Sequence, residues 1–216
     1  KILQDAHPHV IGGREINKGS HVLIMDCEAV IVHNGQVNPE FLKAESFDSL
    51  KTGCDSEILL NIFNQFGEKK IIEEIPGAYS LAIAKKGMKE VVVLRDKTGI
   101  KPGALGWKDG KYIVTSEDIG FKKNGGKFIE DLEPGYAYYI HSNGHYTRKK
   151  ICESKKKHCF FEYNYIANLD SIIDGISVRR AREVLGEALA KEIQPQADIV
   201  TFLPRCPEVA ARRYAE

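Results

Sequence analysis

Short apolar runs alternate with polar or glycine-containing turns over the first 150 residues, and this pattern predicts a mostly β structure. The runs are residues 22–25, 29–32, 79–84, 91–94, 111–115 and 136–140. The first two runs lie on either side of Asp26-Cys27-Glu28, which predicts two separate strands buried on both faces. Residues 79–84 and 91–94 flank a loop that contains Gly87, which predicts a β-hairpin, and Asp-Gly, Pro-Gly and Asn-Gly pairs predict further turns.

One amphipathic helix interrupts this β pattern. Apolar residues recur every three or four positions between Ser56 and Phe66, which is the stripe of a helix with one buried face. Asp55 is placed to cap the start of this helix with its side chain. Gly67 is placed to end it.

The pattern changes after residues 148–157, which carry six Lys or Arg residues and one acidic residue. Such a stretch is typical of an exposed connection, and it predicts a boundary between two domains. Beyond it, residues 178–193 predict a helix with Ser177 as its N-cap. The apolar run at 197–203 predicts a buried strand, and residues 208–216 predict another helix, so this part is typical of the opening of an α/β unit.

Composition narrows the class of protein. The 216 residues are 43% hydrophobic and 28% charged, with a net charge of +1, which argues against a dedicated nucleic-acid-binding protein. No apolar run approaches the ~18 residues that would span a bilayer, and no signal region is seen, so we expect no membrane association and a cytoplasmic location. Five cysteines without a CxxC pair argue against a zinc site and for reduced thiols.

Three polar segments are candidates for chemistry. His33-Asn34-Gly35 follows an apolar run and has two interpretations: a turn, or an oxyanion hole in which an amide and a backbone N–H meet developing negative charge. Asp55 also has two interpretations: a helix cap, or a carboxylate that binds an ammonium group of a ligand. For Arg95-Asp96-Lys97 we expect a structural turn whose charges are paired or solvated.

Eight stretches, in order along the chain, resemble the glutamine phosphoribosylpyrophosphate amidotransferases. They are HNG at 33–35, DSEILLNIF at 55–63, IPGAYSLAIA at 75–84, LRDKTGIKPGALG at 94–106, TSED at 115–118, DLEPGY at 131–136, CFFEYNYIANLDSIIDGISVRRAR at 159–182 and YAE at 214–216. The HNG, DSE and RDKTGIKP stretches point to a class II glutamine amidotransferase. The stretch at 159–182 narrows the resemblance to the phosphoribosylpyrophosphate branch.

This resemblance implies an α+β fold. Residues 1–147 would form a four-layer αββα sandwich of the N-terminal-nucleophile hydrolase type, which is the glutamine amidotransferase domain without its N-terminal segment. Residues 158–216 would be the truncated start of an α/β phosphoribosyltransferase-like domain.

The resemblance also implies an activity. An N-terminal Cys hydrolyses glutamine, and the ammonia passes through a channel to phosphoribosylpyrophosphate, where it displaces pyrophosphate to give phosphoribosylamine for purine synthesis. By similarity, Asn34 and Gly35 match the oxyanion hole, and Asp55 matches the residue that binds the α-amino group of glutamine. The partners expected are therefore glutamine, phosphoribosylpyrophosphate and further copies of the chain in a homo-oligomer. Mg²⁺ is expected only for the transferase half, no metal is expected at the glutamine site, and an iron–sulfur cluster at Cys159 is not expected.

The sequence departs from the family pattern at several positions. It begins with Lys1, and none of its five cysteines is N-terminal, so we expect the segment with the nucleophile to be missing from the sequence as printed and the chain alone to release no ammonia. Asn168-Leu169 and Arg205-Cys206 replace residues that are usual in the transferase half. Two alternatives therefore stand beside the enzyme: a non-catalytic regulatory or scaffold paralogue, and a class II amidotransferase with a different acceptor.

Overall fold

Two antiparallel sheets form the frame of the molecule in a computed structural model, which describes residues 6–42 and 50–216. The strands are β1 His9–Asn17, β2 Val22–Val37, β3 Gly77–Lys85, β4 Glu90–Arg95, β5 Ala104–Lys108, β6 Lys111–Thr115, β7 Lys127–Asp131, β8 Tyr136–His141, β9 Tyr146–Lys150, β10 Ile172–Ile173 and β11 Ile176–Ser177. The larger sheet has the order β1-β2-β3-β4-β8-β9, and the smaller sheet has the order β6-β5-β7. Strands β10 and β11 form a separate two-stranded ribbon. The hairpin predicted at 79–84 and 91–94 is confirmed by the antiparallel pairing of β3 with β4.

Within the described residues, four α-helices accompany the sheets: α1 Asp55–Glu74, α2 Ile119–Lys122, α3 Val178–Glu192 and α4 Glu208–Ala215. A 3₁₀ turn covers Pro39–Phe41, and a π-helical turn covers Glu162–Ile166. Gly67 interrupts α1 with φ 78° and ψ −174°, as expected for a glycine at a helix end, but a second helical segment follows it directly. No helix in the described part of the chain is long and apolar enough to cross a membrane.

The elements are stacked in layers. Helix α1 covers one face of the larger sheet, where Leu59 and Leu60 join Ile31 and Leu81 in the main core. The other face packs on the smaller sheet through a second cluster, which consists of Val93, Leu105, Leu132 and Tyr138. Because Leu105 points to the larger sheet, its neighbour Gly106 faces the opposite side, and there the ring of Phe121 from α2 lies against it. This arrangement confirms the mixed helix-and-sheet class.

The prediction of two strands at 22–25 and 29–32 is wrong, because β2 runs without interruption from Val22 to Val37. Its first half pairs only with β1, and the pairing with β3 begins at Ala29. Ile11 pairs with Ala29 and Gly12 with Cys27, so Glu28 is an extra residue in a β-bulge. The bulge accommodates the polar tripeptide within the strand, and the unsupported first half leaves Val22 half exposed rather than buried on both faces.

The C-terminal segment, residues 158–216, confirms the predicted helices but not the predicted strand. Ser177 caps α3 by accepting a hydrogen bond from the backbone N–H of Arg180 at 3.3 Å. The run at 197–203 forms no strand, and Ile199 and Leu203 are 81% and 84% exposed. An all-apolar strand needs both faces covered, and the described residues place no sheet beside this run.

The first half of the C-terminal segment is attached to the sandwich by buried charges. The guanidinium of Arg95 forms two hydrogen bonds with the carboxylate of Asp174, at 3.0 and 2.9 Å, and both side chains are 1% exposed. Lys101 forms an ion pair with the buried carboxylate of Glu162 at 2.6 Å. Arg95 therefore has a structural role, as expected, although its charge is paired across 79 residues of sequence rather than within a local turn.

Candidate functional site

His33-Asn34-Gly35 lies inside β2, paired with β3, so the turn interpretation is wrong. Gly35 has a φ of 150°, and a Cβ atom there would lie 2.1 Å from the carbonyl oxygen of Ala78 on β3. Since that oxygen belongs to the backbone, it cannot move aside for a side chain. The glycine is thus required by the close approach of two strands, and it leaves the backbone of this strand uncovered by any side chain of its own.

The Asn34 side chain faces the gap between the two sheets. There it lines a pocket of about 270 Å³, together with Val32, Ser80 and Val114. Its Nδ2 atom donates a hydrogen bond to the hydroxyl of Ser116, with a donor–acceptor distance of 3.0 Å. An amide nitrogen carries two N–H groups, and among the described residues only Ser116 takes one, so the other can donate to a ligand.

Asp55 does not cap its helix, and that prediction is wrong. The N-cap of α1 is Cys54, without a side-chain cap, and Asp55 is the first helical residue. Its Oδ2 atom instead accepts the backbone N–H of Val37 at 2.8 Å, which joins the start of α1 to the end of β2. The Oδ1 atom has only longer contacts, 3.4 Å to the hydroxyl of Ser56 and 3.6 Å to the thiol of Cys54, so it retains capacity to accept from a ligand.

His33 lies beside this carboxylate as a neutral ring. Its Nδ1 atom is 2.9 Å from the Ser56 hydroxyl and 3.8 Å from Oδ1 of Asp55. Burial is the main cause of a low pKa of about 4 for His33; Asp55 opposes it, and His7, His9 and Lys101 add to it. His33 is therefore uncharged at neutral pH, and no Lys or Arg of the described residues forms a salt bridge with Asp55. The negative charge of Asp55 is left for a cationic ligand.

The structure connects the three residues predicted from sequence. Asn34 and Gly35 are adjacent on β2, and Asp55 is hydrogen-bonded to the same strand two residues further on. A larger depression of about 410 Å³ lies at the opposite end of the strands, beside Met88 and Tyr112, and contains none of them. We assign the site to the smaller pocket because Asn34 and His33 line it and Asp55 lies beside His33.

Two further residues of this site lie in stretches that resemble the family, but the sequence does not indicate their contacts. Ser116 is 82 positions from Asn34, and only the fold of the smaller sheet brings its hydroxyl to the amide. His33 could be seen in the HNG motif, but its contact with Ser56 depends on where α1 begins. The described residues hold no cluster of three or more His, Cys, Asp or Glu side chains that could bind a metal ion.

Comparison with known proteins identifies the kind of domain. The sequence profile of the family described as "glutamine amidotransferase domain" matches residues 17–153. The chain belongs to the glutamine amidotransferase domain family. Its amidotransferase relatives include the amidophosphoribosyltransferase of Archaeoglobus fulgidus, 34% identical over 99% of this chain and 47% of that protein. The amidophosphoribosyltransferase of Bacillus subtilis is 32% identical over 86% of this chain and 41% of its own length.

Solved structures support the same amidotransferase assignment. One is described as the allosteric regulatory enzyme of purine biosynthesis and superposes with a TM-score of 0.81 at 27% identity, over 98% of this chain and 45% of that one. The other is the glutamine phosphoribosylpyrophosphate amidotransferase of B. subtilis complexed with ADP and GMP, with a TM-score of 0.76 at 26% identity, over 95% of this chain and 46% of that one. The chain spans slightly less than half the length of these relatives.

Proposed function

We propose that this chain is the glutamine-hydrolysing part, and the start of the transferase part, of an amidophosphoribosyltransferase. The protein would hydrolyse glutamine to glutamate and pass the ammonia to phosphoribosylpyrophosphate, with loss of pyrophosphate, to give phosphoribosylamine. The observation that carries the proposal is at the end of β2, where the amide donor of Asn34 lines an open pocket. The unneutralised carboxylate of Asp55 lies 3.8 Å from the ring of His33, which lines the same pocket. The family and its relatives supply the reaction class.

Asn34 and Gly35 are proposed to stabilise the oxyanion of the tetrahedral intermediate. Attack on the amide carbonyl of glutamine moves negative charge onto its oxygen, and donors fixed in place before reaction stabilise that charge most effectively. The free N–H of the Asn34 amide and the backbone N–H of Gly35 are the two donors. The resemblance implies an N-terminal Cys as the nucleophile, and binding and charge stabilisation are what Asn34 and Gly35 contribute to its attack.

Asp55 is proposed to bind the α-ammonium group of glutamine through its Oδ1 atom. Oδ1 is the oxygen available for this contact, because Oδ2 already accepts a hydrogen bond from the backbone N–H of Val37. The neutral state of His33 supports this role, since a protonated imidazole 3.8 Å away would compete with the ligand for the same charge. The order of the domains, 1–147 and then 158–216, belongs to this proposal as well.

Substitution of the two side chains should have different kinetic effects in the full-length protein. Asn34 acts on a charge present only in the transition state, so Asn34→Ala should lower kcat for glutamine hydrolysis by roughly 10²–10³-fold with little change in KM. Asp55 contacts glutamine before and during reaction, so Asp55→Asn should raise KM for glutamine at least about tenfold. The asparagine can still accept from Val37, so the fold should hold.

Ammonia-dependent synthesis separates this site from the transferase. Both variants should keep the wild-type rate of phosphoribosylamine synthesis with ammonium as nitrogen donor. The control Asn143→Ala, in the exposed turn after β8, should change neither glutamine hydrolysis nor this ammonium-dependent synthesis. Wild-type protein that neither hydrolyses glutamine nor binds it would refute the proposal and favour the non-catalytic paralogue. Hydrolysis without synthesis of phosphoribosylamine would instead favour a different acceptor.

A further inference from the structure

The Asn34 amide is held by a residue that no part of the proposed mechanism uses. The Ser116 hydroxyl accepts a hydrogen bond from Nδ2 of Asn34 at 3.0 Å, across the mouth of the pocket between the sheets. The two residues come from different sheets, since Asn34 lies on β2 and Ser116 directly follows β6. An amide on a rotatable side chain can turn its donor away from a ligand, and a fixed acceptor for one N–H directs the other.

The two residues that follow Ser116 in the chain are hydrogen-bonded to the C-terminal segment. The carboxylate of Glu117 accepts the backbone N–H of Asn168 at 2.8 Å, and the carboxylate of Asp118 accepts the backbone N–H of Ile172 at 2.8 Å. Asp118 is 3% exposed, so this connection to the C-terminal segment is shielded from water. The segment TSED at 115–118 therefore connects the oxyanion donor, through Ser116, to residues 168–172.

We propose that Ser116 is a positioning residue that orients the Asn34 amide for oxyanion stabilisation, and that Glu117 and Asp118 hold it there against the C-terminal segment. This inference rests on the proposed glutamine hydrolysis and assigns a residue to it. Ser116 acts through Asn34 and need not touch the substrate. The Ser116 side chain is exposed, so its replacement should leave the fold intact.

The test is glutamine hydrolysis by the full-length protein. Ser116→Ala should lower kcat by about 3- to 10-fold, as expected for the loss of one hydrogen bond that orients a donor, with KM for glutamine within about twofold of wild type. Ser116→Thr keeps the hydroxyl and should retain at least half of the wild-type kcat. Ser142→Ala, the same change in an exposed turn at the other end of the sandwich, is the matched control and should have no effect.

A double-mutant cycle decides whether Ser116 acts through Asn34. Once Asn34 is alanine there is no amide to orient, so adding Ser116→Ala to Asn34→Ala should change kcat less than twofold. An equal loss in both backgrounds, an unchanged kcat in Ser116→Ala, or a Ser116→Thr variant as slow as alanine would overturn the inference while the proposed function stands. A wild-type protein without glutamine hydrolysis would overturn both.

Discussion

The two halves of the C-terminal segment differ in what they contact. Residues 158–178 are attached to the sandwich by the Arg95–Asp174 and Lys101–Glu162 pairs and enclose a small core of their own, with Tyr163 and Val178. Residues 194–207, which follow α3, have no regular structure apart from turns, and Leu203 is 84% exposed. Both halves contain apolar residues and a few charged ones. Composition therefore does not determine which half packs. What determines it is whether another part of the chain offers a surface to pack against.

The attached half shows how a charged group becomes a structural anchor. Besides Asp174, the Arg95 guanidinium donates to the backbone carbonyls of Gly99, Lys101 and Leu132. A buried cation with all its donors satisfied is stable, whereas the same cation without its carboxylate partner is not. The attachment of residues 158–178 should therefore be strongly sensitive to one carboxylate, and the later half should be insensitive to most substitutions.

The largest effect is expected at the buried ion pair. Asp174→Asn should lower the free energy of unfolding by about 3–5 kcal/mol, because it leaves the Arg95 charge buried without a partner. Asparagine tolerates the positive φ of 51° at this position, so the change isolates the charge. Urea denaturation of the 216-residue chain measures it.

Asp170→Asn is the matched control for this substitution. Its partner Arg179 and Asp170 itself are 49% and 55% exposed, and such a pair contributes less than about 1 kcal/mol. Equal losses in the two variants would mean that burial does not distinguish the two pairs, and the anchor interpretation would fail.

A second pair of variants compares the sandwich core with residues 194–207. Leu60 is fully buried between α1 and the larger sheet, so Leu60→Ala should lower the free energy of unfolding by about 2–5 kcal/mol. Leu203→Ala, the same change at an exposed position, should alter it by less than about 0.5 kcal/mol. A loss above about 2 kcal/mol for Leu203→Ala in the isolated chain would show that the run at 197–203 is buried after all, as its sequence predicts.

These comparisons also show which structural elements could be predicted from the sequence. The stripe of α1, the β3–β4 hairpin and the Ser177 cap depend on neighbours within a few positions, and each of them was predictable. The failed strand at 197–203 and the continuous β2 depended on which strands lie alongside, and hydrophobicity along the chain does not contain that information.

The candidate site divides in the same way. Asn34, Gly35 and Asp55 could be named from motifs and the family resemblance, and their roles stay proposals. The hydrogen bond from the backbone N–H of Val37 to Asp55 could not be predicted, because it depends on how the start of α1 packs against the end of β2. The contact of Asn34 with Ser116 depends in turn on how the two sheets are stacked.

The smallest effect expected is a pH dependence of the stability, which arises where the sandwich contacts residues 158–178. Asp131, on β7, has a pKa raised to about 6 by burial and by the nearby charge of Asp174, and partly lowered again by Arg95 and Lys156. An unfolded Asp ionises near pH 4, so the folded state holds this proton between about pH 4 and 6 when the unfolded chain has released it. The stabilisation associated with the protonated form is present below pH 4 and is lost as the pH rises through 6.

Asp131→Asn mimics the protonated carboxyl and should remove that loss. At pH 8 the variant should be more stable than the wild type by about 1 kcal/mol, or about 2–4 °C in Tm, since partial exposure screens the full effect of the shift. Below pH 4 the two proteins should melt together. Asp109→Asn, in the exposed turn between β5 and β6, is the control and should follow the wild type at every pH. A variant that is less stable than the wild type at pH 8 would mean that the ionised carboxylate of Asp131 is held favourably by Arg95 and Lys156, and that the junction draws on a second buried anion besides Asp174.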